Sequence, residues 1–110
     1  MKFLITGSDG FIGQYLCRYL DNQRILYERF RGDITKQETY RAKEFGGIIH
    51  LASLIPQRGN WTAEKMEEVN VQGTKNLYTF FSGTKFIYIS TKDVEVHPLT
   101  EYAKTKLEAE

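Results

Sequence analysis

The sequence predicts an α/β fold, a doubly wound parallel sheet with helices on both faces. Three observations carry this. Short apolar runs alternate with amphipathic segments in the order strand, helix, four times over, the pattern of right-handed crossovers between parallel strands. The strand runs lack polar alternation, as strands covered on both faces do. A glycine-rich turn joins the first strand to the first helix.

Each element has its local reason. Lys2 to Thr6 reads as a buried strand ending at a glycine turn. Phe11 to Asp21 reads as a helix, with Phe11, Ile12, Tyr15, Leu16, Tyr19 and Leu20 on one apolar face at i, i+4, i+8 spacing. Arg24 to about Phe30 is a second strand, and Gly32-Asp33 a turn. Thr35 and Glu38 form a capping-box pattern that opens a helix running to about Phe45, stopped by Gly46-Gly47. Ile48 to Leu51 is a short buried strand. A loop leads to a long helix from about Thr62 to Phe81, with the stripe Met66, Val69, Gly73, Leu77 and Phe80. Trp61 before it is expected to anchor packing. Lys85 to Ser90 is the last strand, and a helix starts at Thr100.

Composition narrows the function. The chain has 110 residues, one domain's length, with 41% apolar and 14% aromatic residues, enough for a core. Lys and Arg number 15 against 14 Asp and Glu, which excludes a strongly basic nucleic-acid footprint. No apolar run approaches the roughly 20 residues of a membrane span. The run Met1 to Ile5 stops at Thr6-Gly7 and does not read as a signal peptide, so a cytoplasmic setting is expected. Cys17 is the single cysteine and His50 and His97 the two histidines, so neither a disulfide framework nor a multi-histidine or cysteine metal site is expected. His50 itself reads as a packed core histidine.

The turn Thr6-Gly7-Ser8-Asp9-Gly10-Phe11-Ile12-Gly13 carries the strongest chemical signal. The first glycine permits a tight turn, the middle one lets a pyrophosphate approach the backbone, and the last lets helix and strand pack closely. Free N–H groups at the helix start then face the phosphates. Strand before and helix after give the triplet its specificity.

These residues resemble the extended short-chain dehydrogenase/reductases, the nucleotide-sugar epimerases, dehydratases and reductases, whose pattern T-G-x-x-G-x-x-G stands here letter for letter. The resemblance implies a Rossmann-like domain over residues 1–110 that binds NAD or NADP through Gly7, Asp9, Gly10, Phe11, Ile12 and Gly13. Towards the end of the second strand, Glu28 is placed for a ribose hydroxyl, and Arg29 or Arg31 for a 2′-phosphate. That leaves NAD and NADP both open. Gly32-Asp33-Ile34 resembles the family's G-D-[ILV], whose Asp contacts the adenine. His50-Leu51-Ala52-Ser53 resembles H-L-A-A, which brings Leu51, Ala52 and Ser53 against the cofactor. Asn70-Val71-Gln72-Gly73-Thr74-Lys75-Asn76-Leu77 resembles N-V-x-G-T-x-N-L, with Asn70 expected to hydrogen-bond backbone near the active site.

The same resemblance assigns catalysis to Thr91, Tyr102 and Lys106. Tyr102-Ala103-Lys104-Thr105-Lys106 is Tyr-x-x-x-Lys, one helical turn apart, and Ser90-Thr91 ends a strand at the edge where open α/β sheets bind ligands. Tyr102 would be general acid/base, Lys106 would lower its pKa and hold the ribose, and Thr91 would polarise a substrate oxygen. Lys92-Asp93 after Thr91 departs from the Asp-Glu of dehydratases, which argues against a dehydratase and leaves epimerase, reductase or an unassigned chemistry on a nucleotide sugar or related small molecule. The sheet is expected to be short for the family, with a reduced connection after the second strand and no C-terminal substrate domain within the 110 residues. A non-catalytic NAD(P)-binding or redox-sensing module acting with a partner chain is the alternative, and a homodimer is left open.

Overall fold

The computed structural model describes residues 2–41, 44–54, 61–89 and 101–110, with side chains of the last stretch from Thr105 onward. Strands β1 (Phe3–Thr6), β2 (Tyr27–Arg29), β3 (Gly47–His50) and β4 (Phe86–Tyr88) form one parallel sheet in the order β2-β1-β3-β4. Helix α1 (Phe11–Asn22) links β1 to β2. Helix α2 (Ala63–Met66), a π-helical segment (Glu67–Gly73) and α3 (Thr74–Phe80) run continuously between β3 and β4, and α4 (Glu101–Ala109) closes the chain.

Alternation along β1 sends its side chains to two cores. Leu4 joins Ile48, Tyr40, Leu77 and Phe81 beneath the long helix. Ile5 joins Cys17 and Leu20 beneath α1. Both faces are thus covered at the central strands β1 and β3, as the lack of polar alternation predicts, whereas Ile87 on β4 stays exposed. The buried side of α1 is narrower than its apolar spacing implies. Gly13, Cys17 and Leu20 are buried, whereas Phe11, Ile12, Tyr15 and Tyr19 are 56–68% exposed. Packing selects the small residues because the helix lies so close to the strand that only they fit.

The helix expected over 35–45 is reduced to a 3-10 turn, Gln37–Thr39. Thr35 does not act as its cap. Its N–H and hydroxyl both donate to Asp33 Oδ1 (2.9 and 2.7 Å), an Asp-centred turn that competes with helix initiation. The second strand is also shorter than expected, since Arg24 adopts φ +57° where α1 turns into the strand. Thr62 caps the long helix by accepting from Lys65 N–H (3.1 Å). The π-helical segment then rotates the stripe, so Asn70, Val71, Thr74 and Phe81 are buried where Val69 and Phe80 were expected. Trp61 remains 39% exposed, more open than a packing anchor.

Candidate functional site

The glycines of the turn have different duties. Gly7 has φ +69°, and a Cβ there would meet Ala52 N at 2.6 Å and Leu51 C at 2.7 Å. A Cβ on Gly13 would collide with Gly7 O and come within 2.7 Å of Ser8 Cα. The protein itself demands these two. Gly10 is different. Its φ of −75° suits any residue, and Gly7 O at 3.3 Å is the nearest atom a Cβ would meet. A Cβ on Gly10 would thus press on one backbone oxygen and meet no other residue's atoms within 4 Å, a milder demand than at Gly7 or Gly13. Gly10 is also the N-cap of α1, with no side-chain cap and no acidic residue in the first turn. No carboxylate lies within the first turn of α1 to offset its positive end, which suits a phosphate group. Phe11 and Ile12, at the start of the helix, and Asp9 beside it are exposed around the same turn.

A buried polar network holds the strand ends behind this turn. Thr6 and His50 are register partners on β1 and β3, and His50 pairs in register with Tyr88 on β4. Thr6 Oγ1 accepts the N–H groups of Leu51 and Ala52, both at 3.1 Å. Its own hydrogen is then left for His50 Nδ1 at 2.6 Å. On the other side, Thr74 donates its hydroxyl to Asn70 O (2.8 Å) and accepts from His50 Nε2 at 2.8 Å. Hydrogen counting makes His50 the neutral Nε2–H tautomer. Burial, with Lys106 nearby, pushes its pKa down to about 3, in agreement. His50 is a core histidine, as its sequence context suggests.

Asn70 ties the 51–54 loop to the helices. Its Oδ1 accepts from Leu54 N–H (2.8 Å) and Ser53 Oγ (3.2 Å), and its Nδ2 donates to Leu54 O (3.2 Å) and Thr105 Oγ1 (3.1 Å). Two of these bonds go to the Leu54 backbone, the kind of contact the sequence leads one to expect of Asn70, and together they shape the 51–54 loop. Ile34 also turns inward. It is 7% exposed, and a Cβ on Gly73 would lie 2.7 Å from its Cδ1, which explains the mid-helix glycine.

Glu28, Arg29, Arg31 and Asp33 line a separate cavity of about 520 Å³ together with Leu4, Phe45, Phe81 and Arg41. None of the turn glycines belongs to its wall. Hydrogen bonds from Thr35 hold the Asp33 carboxyl below its ordinary pKa. Arg41 at this rim carries no sequence motif, and its position follows from the short connection between β2 and β3.

Lys106 lies on α4, one turn beyond position 102, and is 4% exposed. Its Nζ donates to Ile89 O (2.7 Å) and sits 4.5 Å from the centre of the Tyr88 ring. Burial lowers its pKa to about 8, against an opposing pull from Glu110. The amine thus stands at the carboxyl edge of β4. The side chain of Tyr102, and Ser90 and Thr91 altogether, lie outside the described residues. Thr6, Thr74, Tyr88 and Thr105 complete the site's frame. Thr6 and Thr74 stand in the glycine-turn and N-V-x-G-T-x-N-L patterns, whereas Tyr88 and Thr105 are brought in by register and helix packing alone.

The chain is similar to known proteins in sequence and in fold. The human 3 beta-hydroxysteroid dehydrogenase type 7 is 26% identical over 123 residues, covering 86% of this chain and 33% of that protein. The chain thus spans about a third of the curated relative's length. A dTDP-4-dehydrorhamnose reductase from Clostridium acetobutylicum superposes with TM-score 0.79 at 25% identity, covering 99% of this chain and 47% of that one. RMD from Pseudomonas aeruginosa, solved with NADPH, gives TM-score 0.79 at 24% identity over 99% and 47% of the two chains. MoeE5, in complex with UDP-glucose and NAD, gives 0.81 at 23% identity over 99% and 46%. The sequence profile of the NAD dependent epimerase/dehydratase family matches residues 3–110, and with that match over nearly its whole length the chain belongs to this family.

Proposed function

We propose that this chain is the dinucleotide-binding part of an NAD(P)-dependent epimerase or reductase acting on a nucleotide sugar or related small molecule. The observation that carries the proposal is Gly10 at the uncapped start of α1, a glycine whose backbone angle any residue could adopt and whose Cβ would press only on Gly7 O at 3.3 Å. The free N–H groups and positive end of α1 would hold a pyrophosphate beside it. Gly7 and Gly13 hold the turn, and Leu51, Ala52 and Ser53 would flank the dinucleotide. Glu28, Arg29, Arg31 and Asp33 would receive its adenosine end, with Arg41 beside them. When bound, the cofactor supplies a ring carbon that gives or takes a hydride.

The chain's own residues handle the proton. A phenol of pKa about 10 is a weak base at neutral pH. An ammonium one helical turn away favours its ionised form. Lys106 supplies that charge to Tyr102, which acts as general acid/base on the substrate oxygen while Thr91 donates a hydrogen bond to it. The test is hydride transfer from NADH or NADPH to 4-keto nucleotide sugars, followed by loss of nicotinamide absorbance. Tyr102→Phe should abolish turnover and leave cofactor affinity within about twofold, since only the proton carrier is lost. Undiminished turnover in that variant contradicts the role of Tyr102. A second reading, a non-catalytic module working with a partner chain, draws on the exposed apolar residues Ile87 and Ile89 (39% and 37%) on and beside β4. Cofactor binding without turnover for any substrate would favour it.

A further inference from the structure

Lys106 is held by more than its own helix. Thr6, His50 and Tyr88 form a row across the ends of β1, β3 and β4. Hydrogen bonds to Thr6 and Thr74 fix His50, and the ring of Tyr88 lies 5.9 Å from the His50 ring at a 33° tilt. Tyr88 also bonds forward, its hydroxyl donating to Lys106 O at 3.2 Å. One face of the Tyr88 ring thus meets the ammonium, whose centre lies 4.5 Å away. An aromatic face attracts a cation, and more so where water is excluded.

We propose that Tyr88 is the positioning residue of Lys106, its ring face keeping the buried amine charged and directed to the carboxyl edge of the sheet. The purpose this serves rests on the reading of Lys106 as the partner of Tyr102 and the dinucleotide. Burial works against the charge, since it lowers the pKa of the amine to about 8. The other titratable groups facing it are few among the described residues. Glu110 is the carboxylate that acts on it, and His50 from β3 is neutral. The π-helical segment brings the uncharged Asn70 to the adjacent Thr105. Without the ring face, the balance would tip further towards the neutral amine.

The test is an NMR titration of the Lys106 Cε methylene in the full 110-residue chain, assigned by its loss in Lys106→Arg. Tyr88→Phe keeps the ring face and should leave the midpoint within about 0.3 pH unit, whereas Tyr88→Leu should lower it by about half a unit or more. An unchanged midpoint in folded Tyr88→Leu overturns the proposal. If that variant does not fold, pentafluorophenylalanine at position 88 keeps the shape and reverses the ring's charge distribution. The same downward shift is expected there, and its absence overturns the proposal equally. NADH titration of Lys106→Met separates the two readings. Unchanged affinity in that variant contradicts the cofactor role of Lys106, while the NMR midpoint alone decides the role of Tyr88.

Discussion

His50 sits 1% exposed between two threonine hydroxyls, and its protonation state has a consequence for stability. The folded chain holds it neutral with a pKa of about 3, against an ordinary value of 6.5. Between those values the unfolded chain binds a proton that the folded chain refuses. Stability therefore falls as pH drops from 6.5 towards 3, with a slope of up to about 1.4 kcal/mol per pH unit from this group. Urea midpoints measured across that range should show the loss, and His50→Gln should flatten it while lowering stability at neutral pH. That His50 is a packed histidine was legible from an apolar strand context. Its partners were not, because Thr6 and Thr74 lie 44 and 24 positions away, and strand register brings in the first and helix packing the second.

Among the elements, the joint between β1 and α1 was the most legible, because glycine spacing reports a steric requirement directly. A methyl at Gly13 would strike backbone at Gly7 and Ser8, which cannot yield without parting helix from strand. Gly13→Ala should destabilise the fold by about 3 kcal/mol or more in denaturant unfolding. Gly10→Ala should cost about 1 kcal/mol, the difference between glycine and alanine as an N-cap. Equal losses at the two positions would contradict the distinct duties assigned to them. The less legible elements failed for physical reasons. The apolar spacing of α1 names Phe11, Tyr15 and Tyr19, but the close approach at Gly13 and Cys17 turns those rings outward. The capping-box letters at Thr35 and Glu38 lose to the hydrogen bonds that Asp33 takes from Thr35. The π-helical turn shifts the buried stripe by a residue, and no strict helical period anticipates that.

At the scale of the molecule, the alternation of strands and helices was enough to predict a parallel sheet, and its order β2-β1-β3-β4 puts the glycine turn, the 51–54 loop and Lys106 along one carboxyl edge. What joins them is the polar network through Thr6, His50, Thr74, Asn70 and Thr105, which spans β1, β3, the long helix and α4. The cavity at Glu28, Arg31 and Asp33 was less legible, since its wall includes Arg41 and Phe81 from distant segments. The central claim is that the turn at Gly10, at the start of α1, receives the pyrophosphate of a nicotinamide dinucleotide. Calorimetric titration of the chain with NADH and with NADPH, beside the same titration of folded Gly10→Ala, tests it most directly. The account predicts binding of at least one dinucleotide by the native chain, and an affinity at least about tenfold weaker in the variant, a change of about 1.4 kcal/mol. No binding of either dinucleotide by the folded native chain, or equal affinity in both proteins, would contradict it.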